Sequence, residues 1–266
     1  MSDETRNDTW NPDRYDRFRH ERSAPFFDLL AEIRRRPAMR VVDLGCGTGR
    51  LTRHLHRTLQ AKDTVGIDSS AAMLADSAHF TTPGLRFERH DVAAWTPSGT
   101  YDLIFSNAAL QWVDLSHEAL FTRLTEALAP AGQLAVQVPA NYDHPSHTLA
   151  TEIARTAPFR EALGGYEHSA ERVLVPETYA ALLARLGYRE QRVRLEVYGH
   201  WLGEAADVVR WVEGTLLTSY ERRLGPSLFD DFRARYRTAL VERLGPSRPH
   251  FFPFKRILIW GTAGGV

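Results

Sequence analysis

Between Arg40 and Val138, short apolar runs of strand length alternate with segments whose apolar positions recur every three or four residues. That alternation predicts βαβ units stacked around a parallel sheet. Predicted strands are 40–44, 64–67, 85–88, 101–106 and 133–138, and predicted helices are 50–59, 71–78 and 118–128. The last of these is apolar at Leu120, Phe121, Leu124 and Leu128, a helical period, and Pro130 with Gly132 closes it. Beyond about residue 140 the rhythm changes. Residues 141–175 read as mostly helix and loop, and 176–186 as a helix entered through Pro176 and closed at Gly187. A strand at 191–198, amphipathic helices at 204–220 and 227–244, and a last strand at 255–260 complete the pattern. The fold class is therefore α/β, built on a parallel sheet.

Composition narrows the setting. With 266 residues, 43% hydrophobic and 25% charged, the chain buries a full core. Basic and acidic residues each number 33, so a net charge of zero gives no global attraction to nucleic acid or to an anionic membrane and favours a small-molecule ligand. The one cysteine, Cys46, excludes an internal disulfide and a multi-cysteine zinc site, and inside a glycine loop it reads as a small buried filler. No signal-peptide core or membrane-spanning run is visible, so a cytoplasmic protein is expected, with a monomer favoured.

The strongest chemical signal is the run Asp43-Leu44-Gly45-Cys46-Gly47-Thr48-Gly49, which follows an apolar strand and opens a helix. Glycines there permit positive φ and let a ligand approach the backbone. A dinucleotide fingerprint needs its third glycine one residue later, where Arg50 stands. Asp43 would repel a pyrophosphate, yet it can accept a hydrogen bond from the amino group of an amino-acid tail. The turn therefore points away from NAD and toward S-adenosylmethionine.

Further signals follow at successive strand tips. Asp68, ending Gly66-Ile67-Asp68, can accept from both hydroxyls of a ribose. Ser69 and Ser70 either assist it or cap the helix from Ala71. Met73 lies either on an adenine face or in the core. Asp91 can accept from an adenine amino group while the backbone N–H of Val92 reaches a ring nitrogen. After the fourth strand, Asn107 and Gln111 can hold the methionine end, and Trp112 either walls an acceptor pocket or simply packs.

The ordered set Asp-Leu-Gly-x-Gly-x-Gly at 43–49, Gly-Ile-Asp-Ser-Ser-x-x-Met-Leu at 66–74, Asp-Val at 91–92 and Phe-Ser-Asn-Ala-x-Leu-Gln-Trp at 105–112 resembles the class I S-adenosylmethionine-dependent methyltransferases. More narrowly, Trp10-Asn11-Pro12 with Tyr15, Phe18 and Glu21-Arg22-Ser23, the stretch 107–112 and the run 136–141 together resemble the trans-aconitate 2-methyltransferase family. The resemblance implies the class I methyltransferase fold, a Rossmann-like, seven-stranded, mostly parallel α/β sheet with an antiparallel last strand, helices on both faces and a helical cap. It is divided into an N-terminal lid segment at 1–30, a cofactor-binding core at 31–140, and a C-terminal part of the sheet with helical substrate-cap insertions at 141–266. Trp10, Tyr15 and Arg22 join the expected cofactor contacts. S-adenosylmethionine is the expected cofactor and S-adenosylhomocysteine the product.

The implied reaction is methylation of a carboxylate on a small organic acid. Such a carboxylate is already nucleophilic at neutral pH, so positioning and desolvation carry the catalysis. No nucleophile triad and no metal-ligand spacing is visible, and no metal is expected. A polyacid needs fixed cations. Arg22, covering either the methionine carboxylate or the substrate, stands with His144, Arg172, His200 and Lys255 as candidates, and Arg22, His144, His200 and Trp112 form the candidate catalytic set. The rival reading is a hydroxyl or carbon acceptor of natural-product or lipid type. In it His144 or His200 acts as base, and Trp201, Trp211, Phe251 and Phe252 line an apolar pocket. A cofactor-binding module without turnover and a dehydrogenase are the remaining alternatives.

Overall fold

The computed structural model describes residues 19–166 and 173–264, with side chains from Ser23 onward. Helices are α1 (Arg19–Ala31), α2 (Arg50–Leu59), α3 (Ala71–Leu74), α4 (His117–Glu126), α5 (Pro145–Ala154), α6 (Phe159–Leu163), α7 (Pro176–Arg185), α8 (Ala206–Glu213) and α9 (Thr218–Leu244). Strands are β1 (Arg40–Leu44), β2 (Asp63–Asp68), β3 (Leu85–Arg89), β4 (Tyr101–Asn107), β5 (Leu128–Pro139), β6 (Tyr188–Leu202) and β7 (His250–Ala263). Among the described residues they make one seven-stranded sheet in the order β3-β2-β1-β4-β5-β7-β6. The pairs β1/β2, β2/β3, β1/β4 and β4/β5 are parallel, and β7 runs antiparallel to β5. The chain leaves β1 for β2 and β3 on one side, then returns to β4 and β5 on the other. The switch point lies between β1 and β4, and in such sheets the ligand crevice opens there, beyond the carboxyl ends of the strands.

The expected strands are all present, and several elements differ in extent. Helix 71–78 is cut to the single turn of α3, followed by a 3₁₀ turn at Ser77–Phe80. The Ser77 hydroxyl donates to the Leu74 carbonyl at 2.7 Å, a local bond that competes with continued helix. The helix expected at 204–220 stops at Glu213, and a new one starts at Thr218 and runs to Leu244. Gly225, with φ of 70° and ψ of 166°, breaks it into two helical segments just before Pro226, in the gap expected between helices. β5 starts at Leu128 rather than 133, since Leu128 already pairs with Tyr101. β6 and β7 extend well past the expected 191–198 and 255–260. No helix among the described residues is long and apolar enough to cross a membrane.

Two compact units divide the chain. One holds 22–140, 171–196 and 256–266. Its core sets sheet residues Val42, Leu44, Val65, Ile67, Ile104 and Val136 against Leu120 and Phe121 of α4 and Leu182 and Leu183 of α7. Of the described residues, the other comprises 19–21, 141–166 and 197–255. Its separate core joins Leu149, Phe159, Trp211, Tyr220, Phe232 and Phe252, so this unit packs around apolar residues of its own.

Candidate active site

The turn between β1 and α2 is built from glycines for a steric reason. Gly45, Gly47 and Gly49 have φ of 76°, 56° and 77°, a region that costs other residues strain. At Gly45 a Cβ would lie 2.1 Å from the Cβ of Ala109, so the turn after β1 and the loop after β4 touch where only a hydrogen fits. The loops flanking the switch point are thereby locked face to face.

Asp68 fastens this turn from β2. Its Oδ2 accepts from the Gly47 N–H and its Oδ1 from the Ser70 N–H, both at 2.9 Å. Ser70 caps α3, its hydroxyl accepting from the Met73 N–H at 3.1 Å. Ser69 is exposed, and its carbonyl accepts from Arg89 at 3.1 Å. Met73 is buried with its methyl end beside Gly47, where it can form one wall of an adenine slot.

Asp43 sits below the turn, 4% exposed, and accepts from the Thr52 hydroxyl at 2.6 Å. Burial raises its pKa to about 7, the Thr52 bond lowers it in part, and the charge of Asp68 raises it again. Thr52, absent from the sequence-based candidates, is the partner of Asp43; its signal is a hydroxyl in the first turn of the helix opened by the glycine run. Cys46 is buried, and desolvation with the two carboxylates drives its thiol pKa far up, so it serves as the inert filler expected.

On the β4 side the structure leaves two acceptors open. Asn107 Oδ1 and Gln111 Oε1 are buried and have no hydrogen-bond partner among the described residues. Gln111 donates its amide to the Ala108 carbonyl at 2.7 Å, which turns its oxygen outward from that bond. Buried acceptors without donors are rare in folded proteins and mark places where a ligand supplies the proton. They fit the ammonium group of an amino-acid tail. At β3, Asp91 accepts from the Ala93 N–H at 2.9 Å, and the Val92 side chain belongs to the core. Trp112 is half-buried at the end of the 3₁₀ turn that follows Asn107.

Trp10, Tyr15 and Arg172 fall outside the described residues, as does the side chain of Arg22 at the start of α1. His144 and His200 belong to the other unit. His144 caps α5, its Nδ1 accepting from the Ser146 N–H at 3.1 Å, and burial lowers its pKa to about 4. His200 is buried with its ring 4.7 Å from that of Trp211. Trp211 and Phe252 are core residues of that unit, while Trp201 and Phe251 pack on each other in the open. Lys255 is paired with Asp143.

A glycine turn pinned to an acidic strand tip, with open acceptors across the switch point, defines a class I methyltransferase. The profile of the methyltransferase domain family matches residues 15–191. The trans-aconitate 2-methyltransferase of Deinococcus radiodurans is 43% identical over 96% of this chain and 98% of its own, and that of Variovorax paradoxus 42% identical over 85% and 87%. Among solved structures, the YcgJ protein of Bacillus subtilis superposes with a TM-score of 0.59 at 14% identity, covering 93% of this chain and all of its own. An S-adenosylmethionine-dependent methyltransferase from Thiobacillus denitrificans, solved with S-adenosylhomocysteine, gives 0.51 at 17% identity, covering 91% and 97%. The chain belongs to the methyltransferase domain family and, within it, to the trans-aconitate 2-methyltransferases.

Proposed function

We propose that this enzyme transfers the methyl group of S-adenosylmethionine to a carboxylate oxygen of trans-aconitate, giving a methyl ester. The reading is carried by the open acceptors of Asn107 and Gln111 beside the glycine turn, in a chain 43% identical to a trans-aconitate 2-methyltransferase along nearly its whole length. When bound, the cofactor supplies an electrophilic methyl on a cationic sulfur.

The protein's own residues bind and orient. Asp68 holds the turn in shape and, at the tip of β2, would face the ribose. Asn107 and Gln111 would accept from the ammonium of the methionine end, and the Asp43 carboxylate below the turn would add negative charge for a cationic ligand. No side chain has to remove a proton, because a carboxylate attacks as it stands; alignment and exclusion of water supply the rate, together worth several kcal/mol.

Labelled cofactor offered with di- and tricarboxylates, phenols and fatty acids tests this directly. Label is expected in a product of trans-aconitate that alkali releases as methanol, the behaviour of an ester. Label appearing only in an alkali-stable phenol ether or a carbon-methylated lipid overturns it.

A further inference from the structure

A guanidinium and a carboxamide meet on the sheet at the end where the site opens. Gln137 on β5 stands opposite Asn107 on β4, and it pairs with Leu258 on β7. Arg256 pairs with Pro139, two residues further toward the carboxyl end of β5. Side chains alternate along a strand, and directly paired residues share a face. Asn107, Gln137 and Arg256 therefore project from the same face, which is also the face of Asp43 through its pairing with Phe105.

The hydrogen bonds sort these groups by sign. Arg256 is 6% exposed, and its Nη1 donates to Gln137 Oε1 at 3.4 Å. That bond turns the Gln137 amide nitrogen away, and this nitrogen is buried without a partner among the described residues. Gln137 itself is fully buried, so water does not readily serve the orphaned donor. Asn107 and Gln111 leave acceptors open, which suits a cation, whereas Gln137 leaves a donor open beside a guanidinium fork, which suits a carboxylate.

We propose that Arg256 and Gln137 bind a carboxylate of the acid acceptor and so determine the preference for a polyacid over a monoacid. The inference rests on the reading that the methyl group goes to an organic acid. A second carboxylate, that of the methionine end of the cofactor, has the same chemistry, and the experiment separates the two.

Arg256→Lys keeps the charge but loses the planar fork. Gln137→Glu sets a carboxylate beside the guanidinium, where it competes with the substrate. Steady-state kinetics with trans-aconitate and with a monocarboxylate such as crotonate are compared with calorimetric binding of S-adenosylhomocysteine. Each variant is expected to raise the KM for trans-aconitate tenfold or more, to narrow the preference over crotonate, and to leave S-adenosylhomocysteine affinity within about twofold. An unchanged KM for the acid, or a loss confined to cofactor affinity, overturns the assignment. Should Arg256→Lys fail to fold, Gln137→Glu decides. If the wild type esterifies a different acid, the same comparison is made with that acid: trans-aconitate then falls as substrate while a raised KM still upholds the clamp. If it esterifies no acid at all, both fall.

Discussion

The backbone N–H of Gly47 donates to Asp68 Oδ2 at 2.9 Å, so the glycine turn after β1 is tied to the tip of β2. Asp68 is thus a structural strut as well as the expected ribose acceptor. Asp68→Ala is expected to weaken S-adenosylhomocysteine binding by about 1 to 3 kcal/mol, the cost of leaving buried hydrogen-bonding groups unmade, and also to lower the melting temperature of the ligand-free protein. Calorimetry and thermal unfolding measure the two effects separately. Affinity equal to wild type would remove Asp68 from the cofactor site.

Contact between Gly45 and Ala109 makes a second prediction. An alanine at 45 meets the Ala109 Cβ at 2.1 Å and must hold φ near 76°. Backbone strain alone costs about 1 to 3 kcal/mol, and the clash adds to it. Gly45→Ala should therefore lower stability and cofactor affinity together. Adding Ala109→Gly removes the clash and not the strain, so the double variant should recover part of the loss. A double-mutant cycle with no coupling would show that the two loops do not press on each other.

Asp43 makes the ligand-free protein sensitive to pH. Its folded pKa, about 7, lies above the ordinary 3.8, so the folded state holds the proton more tightly than the unfolded chain between those values. Stability then falls as pH rises from about 4 to about 7 and levels off above that. Asp43→Asn keeps an acceptor for Thr52 and cannot ionise. Urea unfolding across this range should show a flatter pH profile for the variant and greater stability at pH 8, with weaker cofactor binding. Parallel profiles for the two proteins would mean that the carboxyl is not perturbed.

His144 is expected to matter as a cap rather than a base. Its Nδ1 accepts from the Ser146 N–H, and burial, with His250 and Lys255 nearby, keeps the ring neutral down to about pH 4 against the opposing pull of Asp143. A lowered folded pKa means that this residue's contribution to stability is lost as pH falls from 6.5 toward 4. His144→Asn supplies another capping acceptor and should preserve melting temperature and turnover, whereas His144→Ala should lose about 1 kcal/mol. A stable His144→Asn protein without turnover would place the imidazole in the chemistry.

Local rhythm along the chain determined much of this protein. The βαβ alternation, the glycine run and the acidic strand tips are short-range patterns, because strand and helix periods and positive φ are properties of a few neighbouring residues. Asp43, Asp68, Asn107 and Gln111 each stand at or after a strand's carboxyl end, as that rhythm predicts, where a parallel sheet opens its crevice. Residues 71–78 read as a longer helix than forms, since periodicity does not reveal that the Ser77 hydroxyl takes the Leu74 carbonyl. The break expected between 220 and 227 is present at Gly225, just before Pro226, because a glycine that takes positive φ and a proline that follows it are local signals.

Only the tertiary structure decided what faces what. Thr52 meets Asp43 across a turn, and Arg256 meets Gln137 across 119 residues of sequence because β7 enters the sheet antiparallel beside β5. Nothing local marks Arg256 among so many arginines. Register between distant strands places it on the face of the site, and register is fixed by the packing of whole strands rather than by the neighbours of any one residue.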